Sequence, residues 1–512
     1  MSTIDVTIAG GGPNGLMLAC ELSLAGVRPV VLERLPERSG ESRASGLVGQ
    51  VVRLLHRRGL YEHLSGAKVP APAPRYVFGA FPLDLADLPD NPLYILPLPQ
   101  RELERALEER ALELGVEIRR GHEVTGLDPE TGEVDVRGAR GDYRLQTRFL
   151  VGADGGRSTV RKLAGIGFPG VTQENHVSRT ASVTLPDSVL DPATGGLRLD
   201  GVGVIRPFTH FRTETGLFVF SPFDPACPGV TVSERDMPAP ADDVPVTLDE
   251  VRESIRRVLG TDLPIGPPAG PGPHQLRRVS SRNTRLADTF RVGRVLLVGD
   301  AAHVHSAIGG PGLNLGLQDA ANLAWKLAAE VHGWAPPGLL DSYEAERRPV
   351  SRRVVMHTQA QGVLTAPGPE VTALRELFGE LLGHQDVVAH LAALMAGSDV
   401  RYGDDPHPLT GRWAPDLQTD DQDRLTKATH AARPILLDLT ADAALATVAA
   451  PWQDRVDTIT TTAPGEAPSA LLIRPDGYVA WASSDEQPDL AALREALARW
   501  FGAPSEISSA DA

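Results

Sequence analysis

The chain has 512 residues, 42% of them hydrophobic, enough to fill the cores of two or three domains. Its 66 acidic and 50 basic side chains leave a formal charge of −16, which repels nucleic-acid phosphates and anionic lipid and sets such partners aside. Two cysteines, Cys20 and Cys227, cannot build a disulfide framework or a four-ligand zinc site, and no apolar run approaches bilayer length. A cytoplasmic protein without a leader, a metal or a membrane partner is expected.

In chain order, Ile4, Val6 and Ile8 alternate with Asp5 and Thr7, the period of a strand. "LMLACELSLAG" then reads as a helix ending at Gly26, and "VRPVVLE" as a second strand of a βαβ unit. Cys20 falls inside that helix as a small core residue. A helix is expected from Arg101 to Leu114, then strands from Val116 to Val124 and from Val134 to Val136. From His176 to Arg278 the chain turns to short strand patterns such as "GLRLDGVGVIRPF" and "GLFVFSPF". One helix interrupts them, opening on a capping box of Thr247 and Glu250 with Leu248, Val251, Ile255 and Val258 as its apolar stripe. "PIGPPAGPGP" closes this stretch as a stiff linker.

"RVLLVGD", Arg294 to Asp300, is again a buried-strand pattern, followed by a long helix ending near His332, so the first domain is discontinuous. Beyond a polar stretch from Gly397 to Asp423 come strands at "PILLDL", "RVDTI", "ALLIRP" and "YVAWA", then a helix from Asp489 to Trp500. "RPDGYV" reads as a hairpin with a tight type I′ loop. Boundaries are therefore expected at 1–175 and 279–396 for the two parts of one domain, at 176–278 for an insertion, and at 397–512 for a C-terminal domain.

Three motifs carry chemistry. Gly10-Gly11-Gly12-Pro13-Asn14-Gly15 fits G-x-G-x-x-G between a strand and a helix. Gly10 permits the tight turn, Gly12 lets a pyrophosphate reach the backbone, and Gly15 lets helix and strand pack closely. Glu33, at the end of the second strand, stands where an acid binds ribose hydroxyls. This motif alone does not separate FAD from NAD. "GADGGRSTVR" places Asp154 and Gly155 at another strand end, and "GDAAHVHSAIGGPGLN" does the same for Gly299 and Asp300.

With those three motifs in that order, the chain from Ile4 to roughly Pro349 resembles the class A flavoprotein monooxygenases, the group of para-hydroxybenzoate hydroxylase and the aromatic polyketide hydroxylases. The resemblance implies an α/β fold: a Rossmann-like FAD-binding domain, an inserted mixed β-sheet substrate domain and a C-terminal thioredoxin-like domain. That last domain holds no cysteine, so thiol chemistry there is excluded, and packing or homodimer contacts are its expected use. The cofactors implied are FAD, with NADPH or NADH as transient reductant across the domain groove. The substrates implied are molecular oxygen and a small aromatic compound.

The resemblance also distributes roles. Asp300 would bind a ribitol hydroxyl, and Asp154 and Gly155 the loop shared by FAD and the nicotinamide. Arg43 would contact the flavin and act in catalysis, with Arg34, Gln100 and Val124 among the FAD contacts. Pro311, Gly312, Leu313 and Asn314 would lie at the start of the long helix beside the ring, with Pro311 near the reaction centre. There the helix N-terminus can stabilise charge on reduced flavin. Leu313, Leu317, Ala321, Ala324 and Ala328 form its packing face. Many relatives have Pro at Ala307 and Gln at Pro311, which puts the shape beside the flavin in question.

His303 and His305 are read as hydrogen-bonding residues of the loop, neither metal ligands nor bases. Phe208, His210 and Phe220, with Phe211 and Phe218, are the candidate substrate contacts of the inserted sheet.

The expected reaction is hydroxylation of a polycyclic phenol or quinone of polyketide or antibiotic type through a flavin C4a-hydroperoxide. A Baeyer–Villiger or epoxidising outcome uses the same scaffold, and a non-catalytic protein that binds an aromatic antibiotic is the rival from outside enzymology. A dehydrogenase has no use for Asp154 and Asp300, and a halogenase would show W-x-W-x-I-P, which the six tryptophans do not supply.

Overall fold

The computed structural model describes residues 3–38, 44–237, 240, 244–272, 274–280, 282–440, 444–463 and 467–505. Its principal sheet is built on the strand Ile4–Ala9, which pairs in parallel with Pro29–Glu33 on one side and with Gly141–Gly152 on the other. Glu117–Arg120 extends it in parallel beyond Pro29–Glu33, and Val295–Leu297 beyond Gly141–Gly152. Val6, Ile8 and Val31 are fully buried, and burying one such side chain contributes roughly 1.5–3 kcal/mol.

The helix Pro13–Leu24 starts with proline at its first position and stops where Gly26 takes φ +82°; Val27 N–H then closes onto Leu22 O at 2.9 Å. Cys20 is buried within this helix, where burial raises its thiol to about 12. The second long helix, Pro311–His332, ends at the predicted His332. It packs on Pro13–Leu24 at close range, because a Cβ on Gly316 would fall 2.4 Å from Asn14 Nδ2.

The stretch after His176 forms a five-stranded sheet in the order His210–Arg212, Gly216–Ser221, Gly229–Arg235, His176–Ser182, Leu276–Val279. Every neighbouring pair in it is antiparallel, so the expected mixed sheet is corrected to an antiparallel one. Short loops join His210–Arg212 to Gly216–Ser221 and that strand to Gly229–Arg235, which makes both pairs antiparallel hairpins. The helix Leu248–Leu259 covers one face with Val251, Ile255 and Val258, as its stripe predicts. Thr247 caps it, accepting from Glu250 N at 3.2 Å. Glu250 does not complete a reciprocal box; its carboxylate takes Arg179 and Arg278, each at 2.7 Å.

The C-terminal layer has four strands, with Ile435–Asp438 parallel to Asp457–Thr460 and antiparallel to Ala470–Ile473, which pairs with Val479–Ser483. The predicted type I′ turn is corrected here. It requires two residues with φ > 0, and of Asp476 and Gly477 only Gly477 has one, at +89°. Gly477 N bonds Arg474 O at 3.0 Å and Arg474 N bonds Tyr478 O at 2.8 Å, giving a three-residue loop with a register shift beyond it. Pro475 favours the negative φ such a turn needs at its second position.

Candidate functional site

The principal strands deliver their carboxyl ends to one place. Gly10 follows Ala9, Arg34 follows Glu33, Ala153 and Asp154 follow Gly152, and Gly299 and Asp300 follow Val298. A cavity of about 2020 Å³ opens there, at the crevice where open α/β sheets bind ligands. Gly10, Gly12, Pro13, Asn14, Glu33, Arg34, Gln100, Val124, Asp154, Gly155, Asp300, Gly312 and Leu313 all line it, as does Phe208 beside the five-stranded sheet.

The glycines divide by what a side chain would meet. At Gly10, φ is +112° and a Cβ would lie 2.4 Å from Ala153 O; at Gly15 it would lie 2.0 Å from Gly10 O. Both are packing glycines. At Gly12 a Cβ would meet nothing within 4 Å, so its absence leaves space at the cavity wall and not in the core. Gly299, at φ +60°, would press a Cβ to 2.0 Å from Asn14 Nδ2 and stands behind the wall.

Glu33 organises the loop, its Oε2 accepting from Gly11 N at 2.7 Å and its Oε1 from Leu35 N at 2.8 Å. Asp154 Oδ2 accepts from Thr159 N at 2.7 Å and Val160 N at 3.1 Å, while its Oδ1 is buried without a partner among the described residues. Neither Pro13–Leu24 nor Pro311–His332 has a side-chain cap at its N-terminus. Two helix starts with positive dipole ends, an open glycine and an orphaned carboxylate oxygen fit a dinucleotide with its pyrophosphate and ribityl hydroxyls.

Other expectations are corrected by position. Pro311 is buried as the first residue of its helix, behind Gly310 at φ +66°, and the wall is made by Gly310, Gly312 and Leu313. Asn314 faces inward, its Oδ1 accepting from Val48 N at 2.9 Å and its Nδ2 donating to Gly310 O at 2.6 Å. Phe220 and Phe218 pack under the helix Leu248–Leu259, since alternation puts both on the covered face. Phe211 packs partly on that core, and His210, on the edge strand, does not reach the cavity. Phe208, at φ +58° and 45% exposed, stands at the mouth with its ring 4.8 Å from that of Phe223. The Arg43 expectation lies outside the described residues.

His303 is fully buried and bonds Asp319 Oδ2 through Nε2 at 2.6 Å; Asp319 Oδ1 accepts from Arg347 Nε at 2.8 Å. His305 stacks on His303 with ring centroids 6.3 Å apart and lines the cavity. Its Nδ1 meets Ser306 O at 2.9 Å, and a carbonyl only accepts, so Nδ1 carries the proton and Nε2 remains an acceptor. Burial brings its imidazole down to about 4, so it is neutral at pH 7. Sequence reasoning missed Tyr76, which lines the cavity and donates to Gly309 O at 2.9 Å, next to the helix cap. It missed Asp319 and Arg347 as well, because partners from separate segments leave no local pattern.

The fold and the cavity define a dinucleotide-binding α/β protein with an antiparallel sheet contributing to the cavity mouth. The FAD binding domain family matches residues 3–358, and the aromatic-ring hydroxylase C-terminal family matches residues 407–504. The chain belongs to the FAD-dependent aromatic-ring hydroxylases. It is 44% identical to a 12-dehydrotetracycline 5-monooxygenase/anhydrotetracycline 6-monooxygenase of Streptomyces rimosus over 98% of this chain and 99% of that one. It is 39% identical to a rifampicin monooxygenase of Streptomyces venezuelae over 98% and 99%.

Among solved structures, an anhydrotetracycline hydroxylase from Streptomyces rimosus superposes with a TM-score of 0.85 at 40% identity, covering 98% of this chain and 100% of that one. An aromatic hydroxylase from angucycline biosynthesis gives 0.84 at 37%, with the same coverage. The chain is thus a flavin-dependent monooxygenase acting on aromatic rings, with FAD as cofactor. Among the described residues no helix is long and apolar enough to cross a membrane.

Proposed function

We propose that this enzyme hydroxylates a polycyclic phenol or quinone of the polyketide antibiotic kind, using NAD(P)H and molecular oxygen. The observation that carries the reading is the size and composition of the cavity. Its volume of about 2020 Å³ exceeds the roughly 300–1,000 Å³ of a single small-molecule site. One end is glycine backbone and acid; the other carries Phe208 and Phe223 beside Arg206 and Thr209. Such a cavity has room for a dinucleotide and a second large, flat ligand.

The redox chemistry, hydride acceptance from NAD(P)H and activation of oxygen, is supplied by FAD when bound. The chain's own residues hold, orient and dry the site. The loop Gly10–Gly15 and the start of Pro13–Leu24 would hold the pyrophosphate, and Glu33 the adenosine ribose. Asp300 and the orphaned Asp154 oxygen would hold the ribityl and pyrophosphate end. Gly310, Gly312 and Leu313 would back the ring, and the first turn of Pro311–His332 would stabilise negative charge on it. Tyr76 fixes this segment by its bond to Gly309 O, and neutral His305 offers Nε2 as an acceptor at the wall. Phe208 and Phe223 would grip the substrate.

On this reading the antiparallel sheet is a substrate domain inserted at 176–278, the C-terminal layer from 397 is thioredoxin-like, and the protein works in the cytoplasm, as a homodimer if that layer pairs. A second outcome is favoured by one relative, a dialkyldecalin synthase of Streptomyces rugosporus, 36% identical over 97% of this chain and 98% of that one. That relative is named as a synthase, which supports a non-hydroxylating outcome as the rival reading. The discriminating experiment follows NADPH oxidation with polycyclic phenols and quinones under ¹⁸O₂ and weighs the product. One labelled oxygen in a product still carrying its rings supports hydroxylation; ring opening or lactone formation identifies Baeyer–Villiger chemistry. Turnover without NADPH or oxygen, or peroxide as the sole product of every candidate, would overturn the proposal.

A further inference from the structure

Loops run over protein surfaces because their polar backbone needs partners. The tip of the C-terminal hairpin, Arg474 to Tyr478, is buried along its whole length. Several of its partners come from the FAD-binding part of the chain, and Tyr402 stands beside them. Arg474 donates to both oxygens of Glu346, each at 2.7 Å, and Asn322 donates to Asp476 Oδ2 at 2.9 Å. Arg58 donates to Pro475 O at 2.6 Å, and the ring of Tyr478 lies 4.3 Å from that of Tyr402.

Two of these contacts run on to elements that flank the cavity. Arg58 is paired with Glu21 at 2.7 and 2.8 Å, on the helix that follows the glycine loop. The Tyr402 hydroxyl accepts from Arg347 at 2.9 Å, and Arg347 holds Asp319. Asp319 in turn accepts from His303 at 2.6 Å and from Gly299 N at 3.3 Å, and Gly299 precedes Asp300 on the cavity wall. Arg347 and Asp319 are fully buried, as is Lys326, which pairs with Glu346 at 2.8 Å. Buried charges are costly and are not needed merely to hold two layers together, since apolar packing does so at lower cost. What they add is direction: Asp319 accepts from Gly299 N, Arg347 donates to Leu315 O and Arg58 to Pro475 O, each a particular backbone atom.

We propose that the turn Arg474–Tyr478 is a positioning element of the flavin site. It inserts into the FAD-binding part and sets the Gly299–Asp300 loop through Tyr402, Arg347 and Asp319, and the glycine-loop helix through Arg58 and Glu21. The C-terminal layer is then part of the cofactor site's support and not an appendage. The inference rests on FAD occupying the cavity, and the test separates the two.

Apo-protein of the full chain is titrated with FAD, following quenching of flavin fluorescence and the visible bands of the bound flavin, with apo melting measured alongside. Tyr402→Phe removes only the hydroxyl that orients Arg347, and Asp476→Asn weakens the turn's own anchor. Ile459→Val loosens the core of the C-terminal layer away from the turn, at a residue that is fully buried. Expected are an FAD dissociation constant raised about tenfold and altered flavin bands for Tyr402→Phe, as for loss of one buried charged hydrogen bond. Ile459→Val should lower melting and leave FAD affinity unchanged. If Tyr402→Phe binds FAD as the parent does, or Ile459→Val weakens FAD as much, the assignment falls. If the parent chain itself fails to bind FAD, the flavin reading falls first. Should Asp476→Asn not fold, Tyr402→Phe decides the matter.

Discussion

At the scale of the residue, Phe208 and Phe220 show how far a sequence pattern reaches. Both sit in strand-rich sequence, and alternation separates two faces without saying which face is covered. The answer comes from the helix Leu248–Leu259, which shields Phe220 and leaves Phe208 at the cavity mouth. The two therefore respond oppositely to truncation. Phe220→Ala is expected to cost about 3–5 kcal/mol of stability in denaturant unfolding. Phe208→Ala should leave unfolding nearly unchanged and raise KM for the aromatic substrate several-fold in steady-state assays. A Phe208→Ala variant with parental KM would remove that residue from the substrate site. Glu33 is a similar case, since both its oxygens already hold backbone N–H groups of the loop. Glu33→Ala should raise the FAD dissociation constant at least tenfold in fluorescence titration, because it disorders the loop as well as removing a ribose partner.

At the scale of the element, the glycine loop and its flanking strand and helix were legible because each piece depends on local chemistry: β-branched alternation, proline at a helix start, and glycine where a Cβ would strike backbone. The long helix to His332 was legible for the same reason. The capping box was half legible. Thr247 caps the helix as expected, so Thr247→Ala should cost about 1 kcal/mol in unfolding. Glu250 is drawn off by Arg179 and Arg278, partners 71 and 28 residues away. Glu250→Gln should thus cost more than loss of a surface cap would suggest, because it removes a carboxylate shared by Arg278 and by Arg179, which keeps Glu234. The turn at Asp476-Gly477 was misread for a related reason: Pro475 sets the turn type, and the dipeptide alone suggested another.

At the scale of the whole molecule, the buried histidines make stability depend on acid. Burial holds His176, His305 and His357 near 4, with nearby arginine charges adding to the effect at His176 and His357. The unfolded chain binds those protons near 6.5, so the stabilisation is complete above that pH and is lost as pH falls towards and through 4. The loss is on the order of 3 kcal/mol per histidine at most. Melting measured from pH 7.5 down to 4 should fall progressively, and unfolding at pH 5 should take up protons; a flat profile would show that these imidazoles protonate in place.

If separated loops clasp one FAD, Gly12 is where a single substitution should abolish binding. A Cβ there meets nothing within 4 Å, and with FAD bound as proposed a longer side chain would stand in the path of the pyrophosphate. Apo-protein of the parent and of Gly12→Val are titrated with FAD after their melting temperatures are compared. The parent chain should bind one FAD in a yellow complex, and the variant should melt as the parent does yet bind no FAD. A parent chain that stays colourless, or a folded Gly12→Val that binds FAD as tightly, would contradict this.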